Sequence, residues 1–509
     1  MRNAARGAAL AALLLAAGVD VQAAGLRIGL QSDPDALDPA TGTSFTGRIV
    51  FAALCDKLID IDEKIEFVPQ LARSWAWSPD GLTLTFRLRD DVVFHDGERF
   101  DAQAAKINLE RYRNAAESRR KAELKPVAAI EATDATTLIL RLSEPSAPLL
   151  AVLADRAGMM MSPKALAEAG PRIAANPVCS GPFKFARRVP LERIVLDRFD
   201  RYWNAAAVHV DSVTFTMIPD NSVRLVNLRA GQLDLVERIA PSDVKTVRSD
   251  ARLKLATVTG LAYQSILINV GHGEKAAGPL GRSAKVREAF EAALDRGIIN
   301  QVALEGLFIA NNQPEAPGST YHFADLVPPA RNPAAARALL RAAGHERFAF
   351  TLKVSNLPVE SQVAQIIQAM AAEGGFDIRI EQMESSAMVA ATQRGDYDAA
   401  IAIWSGRPDP DGNVAIWLAS DGFLNWGRYA SGPVDAALAA ARRSNDTATR
   451  QAQYRLAAAA WMADRPHLFL YHHRWFWGLR AGLEGFVPSP DGIIRFAGLR
   501  PAASAPSRP

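Results

Sequence analysis

Three neighbouring stretches in the second half of the chain decide the fold. They are FTLKVS (350–355), VAQIIQAMAAEGGFDIRIEQM (363–383) and DYDAAIAIW (396–404). The first and the last are short apolar runs typical of buried strands, and the middle stretch predicts a helix, a stop at Gly374 and Gly375, and a further strand. This alternation of strand and helix predicts an α/β lobe with a largely parallel sheet.

The chain is too long for one ordinary hydrophobic core. It has 509 residues, of which 49% are hydrophobic and 22% are charged, an ordinary globular composition, so we expect two or more domains. Strands and helices also mix in the first half, for example at LTLTFRLRDDVVF (82–94). The formal charge is only +3, without a block of basic residues, which excludes an extended nucleic-acid surface.

The first 24 residues have the pattern of a secretory signal peptide. Arg2 and Arg6 precede the short apolar run GAALAALLLAAGV, and small residues follow. We expect cleavage near Ala23 or Ala24 and a periplasmic mature protein. The alternative is an uncleaved anchor helix, although the apolar run is short for a membrane span. No cysteine follows the run, so no lipid anchor is predicted.

The sequence lacks the common signatures of catalysis and of metal or nucleotide binding. It contains no G-x-S-x-G, no phosphate loop, no H-E-x-x-H and no C-x-x-C. His472 and His473 are adjacent, so on a strand they point to opposite faces and cannot easily share a metal. We therefore expect a binding protein, not an enzyme, with no cofactor and no metal site.

Several long motifs resemble one family. The stretch PQLARSWAWSPDGLTLTFRLRDDVVFHDGERFDA (69–102) is similar to the signature of family 5 extracytoplasmic solute-binding proteins, the dipeptide, oligopeptide and nickel receptors of ABC importers. NPVCSGPFKF (176–185), RFDRYWN (198–204) and KVREAFEAALDR (285–296) match as well. The resemblance spans about residues 26–500.

The resemblance implies an α/β fold with two lobes, the periplasmic-binding-protein fold, and an extra subdomain inserted in the first lobe. The first lobe is expected at 26–265, with the insertion at about 50–185. The second lobe is expected at 266–484, the return to the first lobe at 485–500 and a disordered tail at 501–509. The strand LAYQSILINV (261–270) is expected to be one hinge crossing, because hinge segments absorb backbone change while lobes move as rigid bodies.

A cation follows one of the buried strands, in IAIWSGRPDPDGN (401–413). In peptide-binding members of the family an aspartate at this place pairs with the ligand amine, but here the resemblance aligns Arg407 with it. A guanidinium prefers a carboxylate or phosphate, so Arg407 is predicted to bind an anionic group of the ligand. Two alternatives remain open: Asp409 reaches a ligand amine, or Arg407 pairs with Asp409 or Asp411 and only fixes the loop.

Other residues are weaker candidates for the wall of the ligand site. For each aromatic among them, ordinary core packing is an equally good interpretation. The set consists of Thr43, Ser44 and Phe45 after the first strand, Tyr263 and Gln264 beside the expected hinge, and Trp404, Ser405, Gly406, Asn425 and Trp426 around the loop of the second lobe.

The two cysteines, Cys55 and Cys179, are predicted to form a disulfide, because an exported protein matures in an oxidising compartment. The alternative is a pair of buried free thiols.

The sequence and the resemblance together predict a monomeric periplasmic receptor that delivers a short peptide or peptide-like solute to an inner-membrane ABC permease. Alternatives within this class are receptors for a nickel chelate, haem or another organic anion. Alternatives outside it are an exported peptide hydrolase and a chaperone-like binder of unfolded chains.

Overall fold

The computed structural model describes residues 25–501. The predicted signal peptide at 1–24 and residues 502–509 of the predicted tail lie outside this range. Pro501, the first residue of that tail, ends a short strand.

The described residues form strands and α-helices that are mixed along the chain. The strands are β1 Gly25–Leu30, β2 Ile59–Ile61, β3 Phe67–Pro69, β4 Ala72–Trp77, β5 Thr83–Leu88, β6 Val127–Asp134, β7 Thr137–Leu142, β8 Phe183–Val189, β9 Arg193–Arg198, β10 Ser212–Met217, β11 Leu235–Val236, β12 Leu253–Ile268, β13 Ile309–Ala310, β14 Phe348–Ser355, β15 Phe376–Met383, β16 Ala399–Trp404, β17 His467–Arg480, β18 Leu483–Glu484 and β19 Arg500–Pro501. The helices are α1 Phe45–Leu54, α2 Ala102–Asn114, α3 Leu149–Leu153, α4 Pro163–Ala169, α5 Asn221–Arg229, α6 Val244–Ser249, α7 Pro279–Arg282, α8 Ala284–Ala292, α9 Arg296–Ala303, α10 Pro333–Ala342, α11 Pro358–Glu373, α12 Ser385–Gln393, α13 Asp411–Leu418, α14 Gly432–Arg442 and α15 Thr447–Asp464.

The predicted parallel sheet of the second half is present. Strand β14 pairs in parallel with both β15 and β16. Helix α11 ends at Glu373, and Gly375 takes a left-handed φ of 93°, which explains the need for glycine between this helix and β15. In the first half, β1 pairs in parallel with β10 and β11, and β10, β9 and β8 continue the sheet antiparallel.

Two long strands join these halves into one sheet. Within residues 25–501 its strand order is β15-β14-β16-β12-β17-β11-β1-β10-β9-β8, with β13 beside β17. Strands β12 and β17 are antiparallel, and their register shifts between Thr259 and Tyr263. At this shift β12 passes from one hydrophobic core to the other. Ala262 packs in the core around β1, and Ile266 packs in the core around β14.

A separate antiparallel sheet, β4-β5-β7-β6, packs with α2 around its own core, which draws on residues 40–160. We propose that this sheet and its core are the inserted subdomain, which the resemblance predicts at about 50–185. Residues Met161, Cys179 and Phe183 belong instead to the core of the first lobe.

We propose the predicted lobes as the units of the molecule, with one boundary changed. Apolar residues of the closing segment, Ile494 and Phe496, pack in the core of the first lobe, as expected for its return. Strand β17 already contributes Trp475 and Trp477 to that core, so we propose that the chain returns to the first lobe inside β17. The predicted return at 485–500 stays a prediction.

A disulfide joins Cys55 to Cys179, the pair named from the sequence. Cys55 follows the last residue of α1, and Cys179 lies in the loop before β8. Both are buried in the core of the first lobe. The bridge closes a loop with a sequence separation of 124 residues.

Replacing both cysteines with alanine is expected to lower the free energy of unfolding by about 4 kcal/mol, because the bridge restricts the unfolded chain over a long loop. Urea unfolding of the parent and of the double variant measures this. A reductant should destabilise the parent and leave the variant unchanged. Two reactive thiols in the unreduced, denatured parent would contradict the prediction.

Candidate functional site

A cavity of about 590 Å³ lies between the two lobes, beside the crossing strands. Its volume is in the range of small-ligand pockets. The first lobe contributes Gln31 and residues 219–222 and 238–243, the second lobe contributes Val302, Ala303, Glu305, Phe308, residues 357–360 and Gln362, and the crossing strands contribute Gln264, Tyr471 and residues 473–476. Both lobes therefore have to be present for this site to be complete.

Opposite charges face this cavity from the two lobes. Arg238, just after β11, has a left-handed φ of 53°, and its guanidinium carbon lies 4.9 Å from the ring centre of Phe45 and 5.2 Å from that of Trp475. Its Nε lies 3.9 Å from the Glu237 carboxylate, a loose pair. Aromatic rings hold a cation in place without neutralising it, so Arg238 is available to a ligand anion.

Glu360 is an acidic group at the cavity, in the first turn of α11 in the second lobe. Asp220, Asp243 and Glu305 also line the cavity. Burial raises the pKa of the Glu360 carboxyl, and the positive charge of Arg238 opposes that shift. Glu360 follows the carboxyl end of β14, and open α/β sheets bind ligands at this end of their strands. A ligand amine would satisfy this carboxylate.

Gln264 adds a buried polar group to the same cavity. It lies on β12, lines the cavity and is 1% exposed. Neither the oxygen nor the nitrogen of its side-chain amide has a hydrogen-bond partner among the described residues. Because buried polar groups are usually paired, this amide is placed to meet a polar ligand group such as a peptide unit.

His473 also lines the cavity, from β17. Burial, reinforced by the nearby charge of Arg238, lowers the pKa of this imidazole to about 3, so it is neutral at neutral pH. His472 points to the other side of the strand, where its Nε2 lies 3.1 Å from the carbonyl oxygen of Gln313. Among residues 25–501, no group of three His, Cys, Asp or Glu side chains is arranged to hold a metal ion.

The loop that carries Arg407 is organised by Asn413, which sequence reasoning did not single out. The Asn413 side-chain oxygen accepts hydrogen bonds from the Arg407 backbone nitrogen at 2.7 Å and from the Trp404 indole at 3.1 Å. Its amide nitrogen donates to the Arg407 carbonyl at 2.9 Å. Gly406 has a φ of 79°, and a Cβ there would lie 2.3 Å from a side-chain atom of Leu261, so only glycine fits.

Arg407 reaches across to the first lobe. Its Nε lies 3.2 Å from the Asp155 carboxylate, and its Nη1 donates to the Gly406 carbonyl at 2.8 Å and to the Ser405 hydroxyl at 3.2 Å. The guanidinium also lies 4.5 Å from the ring centre of Trp404. Arg407 is not among the residues that line the cavity, and its predicted contact with a ligand anion stays a prediction.

The alternative that Arg407 pairs with Asp409 or Asp411 is wrong. Asp409 pairs with Arg450 at 2.7 Å, and Asp411 pairs with Arg442 at 2.6 Å. Both arginines come from helices that follow the loop in sequence, α14 and α15. The carboxylate of Asp409 is therefore already engaged in a buried pair, which leaves it poorly placed for a ligand amine.

Of the three candidates after β1, Thr43 and Ser44 stabilise the local structure, and Phe45 packs beside the cavity. The Asp35 carboxylate accepts hydrogen bonds from the hydroxyls of Thr43 and Ser44, and Ser44 also caps α1. Phe45 stacks on Trp475 with ring centres 5.2 Å apart, beneath Arg238. Phe45 thus supports the cavity wall.

The remaining candidates have structural contacts. Tyr263 is fully buried, and its hydroxyl donates to the Asn413 carbonyl at 2.7 Å. Asn425 is buried and bonds to backbone groups of Ala419 and Tyr429. Trp426 packs against Trp417 with ring centres 5.7 Å apart. Among the predicted wall residues only Gln264 lines the cavity.

Sequence reasoning missed Arg238 and Glu360, although a signal was available for each. Both follow the carboxyl end of a strand in the main sheet, β11 and β14. The same rule that drew attention to Arg407 after β16 applies to them.

The profile of the family described as Bacterial extracellular solute-binding proteins, family 5 Middle, matches residues 66–425. Among curated proteins, the chain is 28% identical over 482 residues to the glutathione-binding protein GsiB of Pectobacterium atrosepticum, with 92% of each chain covered. It is 26% identical to the protein of the same name from Escherichia coli K12, with 92% of this chain and 93% of that protein covered.

Solved structures give the same fold. The periplasmic binding protein DppA of Helicobacter pylori, in complex with the peptide STSA, matches with a TM-score of 0.84 and 25% identity over 94% of this chain and 99% of that chain. AgaA of A. tumefaciens, in complex with agropinic acid, matches with a TM-score of 0.85 and 23% identity, covering 94% and 99%. No helix among residues 25–501 combines the length and the hydropathy of a membrane span.

Replacing Asp409 with asparagine is expected to lower the free energy of unfolding by about 3 kcal/mol, because Arg450 is then buried without its partner. Urea unfolding measures the loss. The double variant Asp409→Leu, Arg450→Met removes both charges and should recover much of the stability. An Asp409→Asn protein that is as stable as the parent would show that this pair does not support the lobe.

Proposed function

Because this chain belongs to the bacterial extracellular solute-binding proteins of family 5, we propose that it captures a short peptide or peptide-like solute and delivers it to an inner-membrane permease. It is a solute-binding protein of the ABC-importer type and not an enzyme. The two-lobe fold provides what such a receptor needs, a cleft that excludes water when it closes on a ligand.

The relatives favour a peptide as the cargo. Curated proteins similar along nearly the whole chain are named for glutathione, itself a short peptide, and the Helicobacter pylori structure holds the peptide STSA. A proposal of peptide cargo therefore agrees with both comparisons.

The observation that carries the proposal is the pair of opposite charges facing one cavity from the two lobes. Arg238 suits a ligand carboxylate, and Glu360 suits a ligand ammonium. The unpaired amide of Gln264 suits the peptide group between them. A small zwitterion with an amide bond matches all three groups at once, and it would hold the lobes together by bridging them.

We further propose that the protein works in the periplasm as a monomer, after removal of residues 1–24. The predicted signal peptide and the extracellular setting of the family support this location. N-terminal sequencing of the exported protein identifies the cleavage point, for which Ala23 or Ala24 is the expected neighbourhood.

Glutathione and a panel of di- and tripeptides are expected to raise the melting temperature of the purified protein in a saturable way, because a ligand that binds only the folded state stabilises it. Calorimetry then gives the affinity, and mass spectrometry should recover the ligand unchanged. If neither glutathione nor any peptide of the panel binds, peptide cargo is wrong.

Arg238→Ala should weaken binding of a peptide found in this way by about 2 kcal/mol, because the ligand carboxylate loses its partner. Arg238→Lys should recover only part of the loss, since an ammonium does not reproduce the guanidinium fork. The exposed Arg347, paired with Asp377 at the surface, provides the matched control, and Arg347→Ala should bind like the parent. Equal affinities for all four proteins would place the carboxylate elsewhere.

A further inference from the structure

Four arginines meet where the loop of the second lobe touches the first lobe. Arg48 lies on α1, Arg120 and Arg156 lie in the region of the inserted subdomain, and Arg407 follows β16. The side chains of the first three are 4–6% exposed, and that of Arg407 is 15% exposed. We call these four residues the arginine cluster.

Too few carboxylates accompany the cluster. Asp155 accepts from Arg48 Nε at 3.1 Å and pairs with Arg407 Nε at 3.2 Å, and Arg156 Nε lies 3.9 Å from it. Glu123 pairs with Arg120 at 2.6 Å. Among the described residues, Asp155 and Glu123 are thus the two carboxylates that pair with these four arginines, and Asp491, whose own partner is Arg495, also interacts with the charge of Arg48. The four arginines therefore outnumber their directly paired carboxylates by two.

Several N–H groups of the cluster also lack acceptors. Nη1 of Arg48, Nε of Arg120 and Nε of Arg156 are buried and have no hydrogen-bond partner among the described residues. A buried donor without a partner costs free energy, and a buried charge without a counter-charge costs more. The first lobe thus presents three buried guanidiniums with unused donors at one place.

The electrostatics of the cluster agree with this geometry. Burial lowers the pKa of Arg156 to about 9, and the charges of Arg120, Arg407 and Arg48 add to the shift while Asp155 opposes it. Burial alone would raise the pKa of Asp155, but Arg48, Arg407 and Arg156 hold it well below its usual range. One carboxylate is shared by three cations, and a further anion would relieve their repulsion.

The cluster adjoins the cavity through Phe45. The guanidinium carbon of Arg48 lies 6.0 Å from the centre of the Phe45 ring, and that of Arg238 lies 4.9 Å from the same centre. The cluster and the cavity thus adjoin the same aromatic ring, although the four arginines themselves are not among the residues that line the cavity.

We propose that the arginine cluster binds a second anionic group of the cargo, so that the receptor selects peptide-like solutes with two separated acidic groups. This inference rests on the proposed function and adds the class of cargo. Arg407 belongs to the second lobe, and the other three arginines belong to the first. An anion bound by the cluster would therefore contact both lobes, as we propose for the zwitterion at the cavity. The competing role for the cluster is a plain contact between lobes, with Asp155 as its only bridging acid.

Glutathione and its two monoamides test this proposal, because each monoamide removes one carboxylate and leaves the rest of the peptide unchanged. Calorimetry at low ionic strength, where charge interactions are least screened, gives three affinities for each protein. The parent should bind each monoamide roughly tenfold more weakly than glutathione. Arg407→Gln should lose the discrimination against one monoamide and keep it against the other, and Arg238→Gln should show the reverse pattern.

The pattern of discrimination separates a ligand contact from a structural role, as in a double-mutant cycle. If Arg407→Gln weakens glutathione and both monoamides by the same factor, the cluster is only a contact between lobes and the proposal is overturned. Arg48→Gln should repeat the Arg407→Gln pattern from the first lobe. The surface variant Arg347→Gln should reproduce the parent.

Succinate keeps the test independent of glutathione as the cargo. If glutathione does not bind, succinate should still raise the melting temperature of the parent and not that of Arg407→Gln, and absence of a shift in the parent overturns the proposal. Succinate can also raise the melting temperature of the parent while Arg407→Gln still binds both monoamides more weakly than glutathione. In that case the cluster binds a free anion, and its assignment to the cargo is overturned. If no peptide of the panel binds but succinate still raises the melting temperature of the parent, only the peptide nature of the cargo is rejected.

Discussion

The antiparallel pairing of β12 with β17 is the contact on which the rest of the structure depends. These strands connect the parallel sheets of the two lobes into one sheet, and the cavity lies beside them. Their regular pairing is interrupted between Thr259 and Tyr263, where the packing passes from one core to the other. Irregular pairing at such a point redirects side chains and bends the strand. The two strands are therefore regularly paired along most of their length and irregularly paired where they pass the cleft.

The positions of the charged residues at the candidate site follow from this arrangement of strands. Each lobe ends its strands at the cleft, and the residues just after β11, β14 and β16 include Arg238, Glu360 and Arg407. Charges placed at the facing edges of two lobes are exposed when the lobes separate and lose water when they close. If the lobes close on a ligand, as we propose, the low dielectric of the closed cleft strengthens each charged contact with it, so a few charged groups suffice for binding.

Local secondary structure is predicted well from the sequence, whereas tertiary contacts between segments far apart in the chain are predicted poorly. The alternation of strand and helix between 350 and 404 correctly gives parallel pairing, because each element there is decided by neighbours in the chain. The partner of Arg407 was not predictable in this way. Asp155 lies in another lobe, and no periodicity or spacing relates the two residues. Gln264 was named because residues beside the expected hinge strand were considered as wall candidates, whereas the charged residues that follow β11 and β14, Arg238 and Glu360, were not.

The close contact of Gly406 with Leu261 packs the loop after β16 directly on β12. Since a side chain at position 406 would collide with β12, the loop can keep this contact only with glycine there. Position 407 is the next residue, yet its side chain points away from that contact, toward the first lobe. A substitution at 407 can therefore change the charge that faces the first lobe while the contact between Gly406 and β12 stays the same.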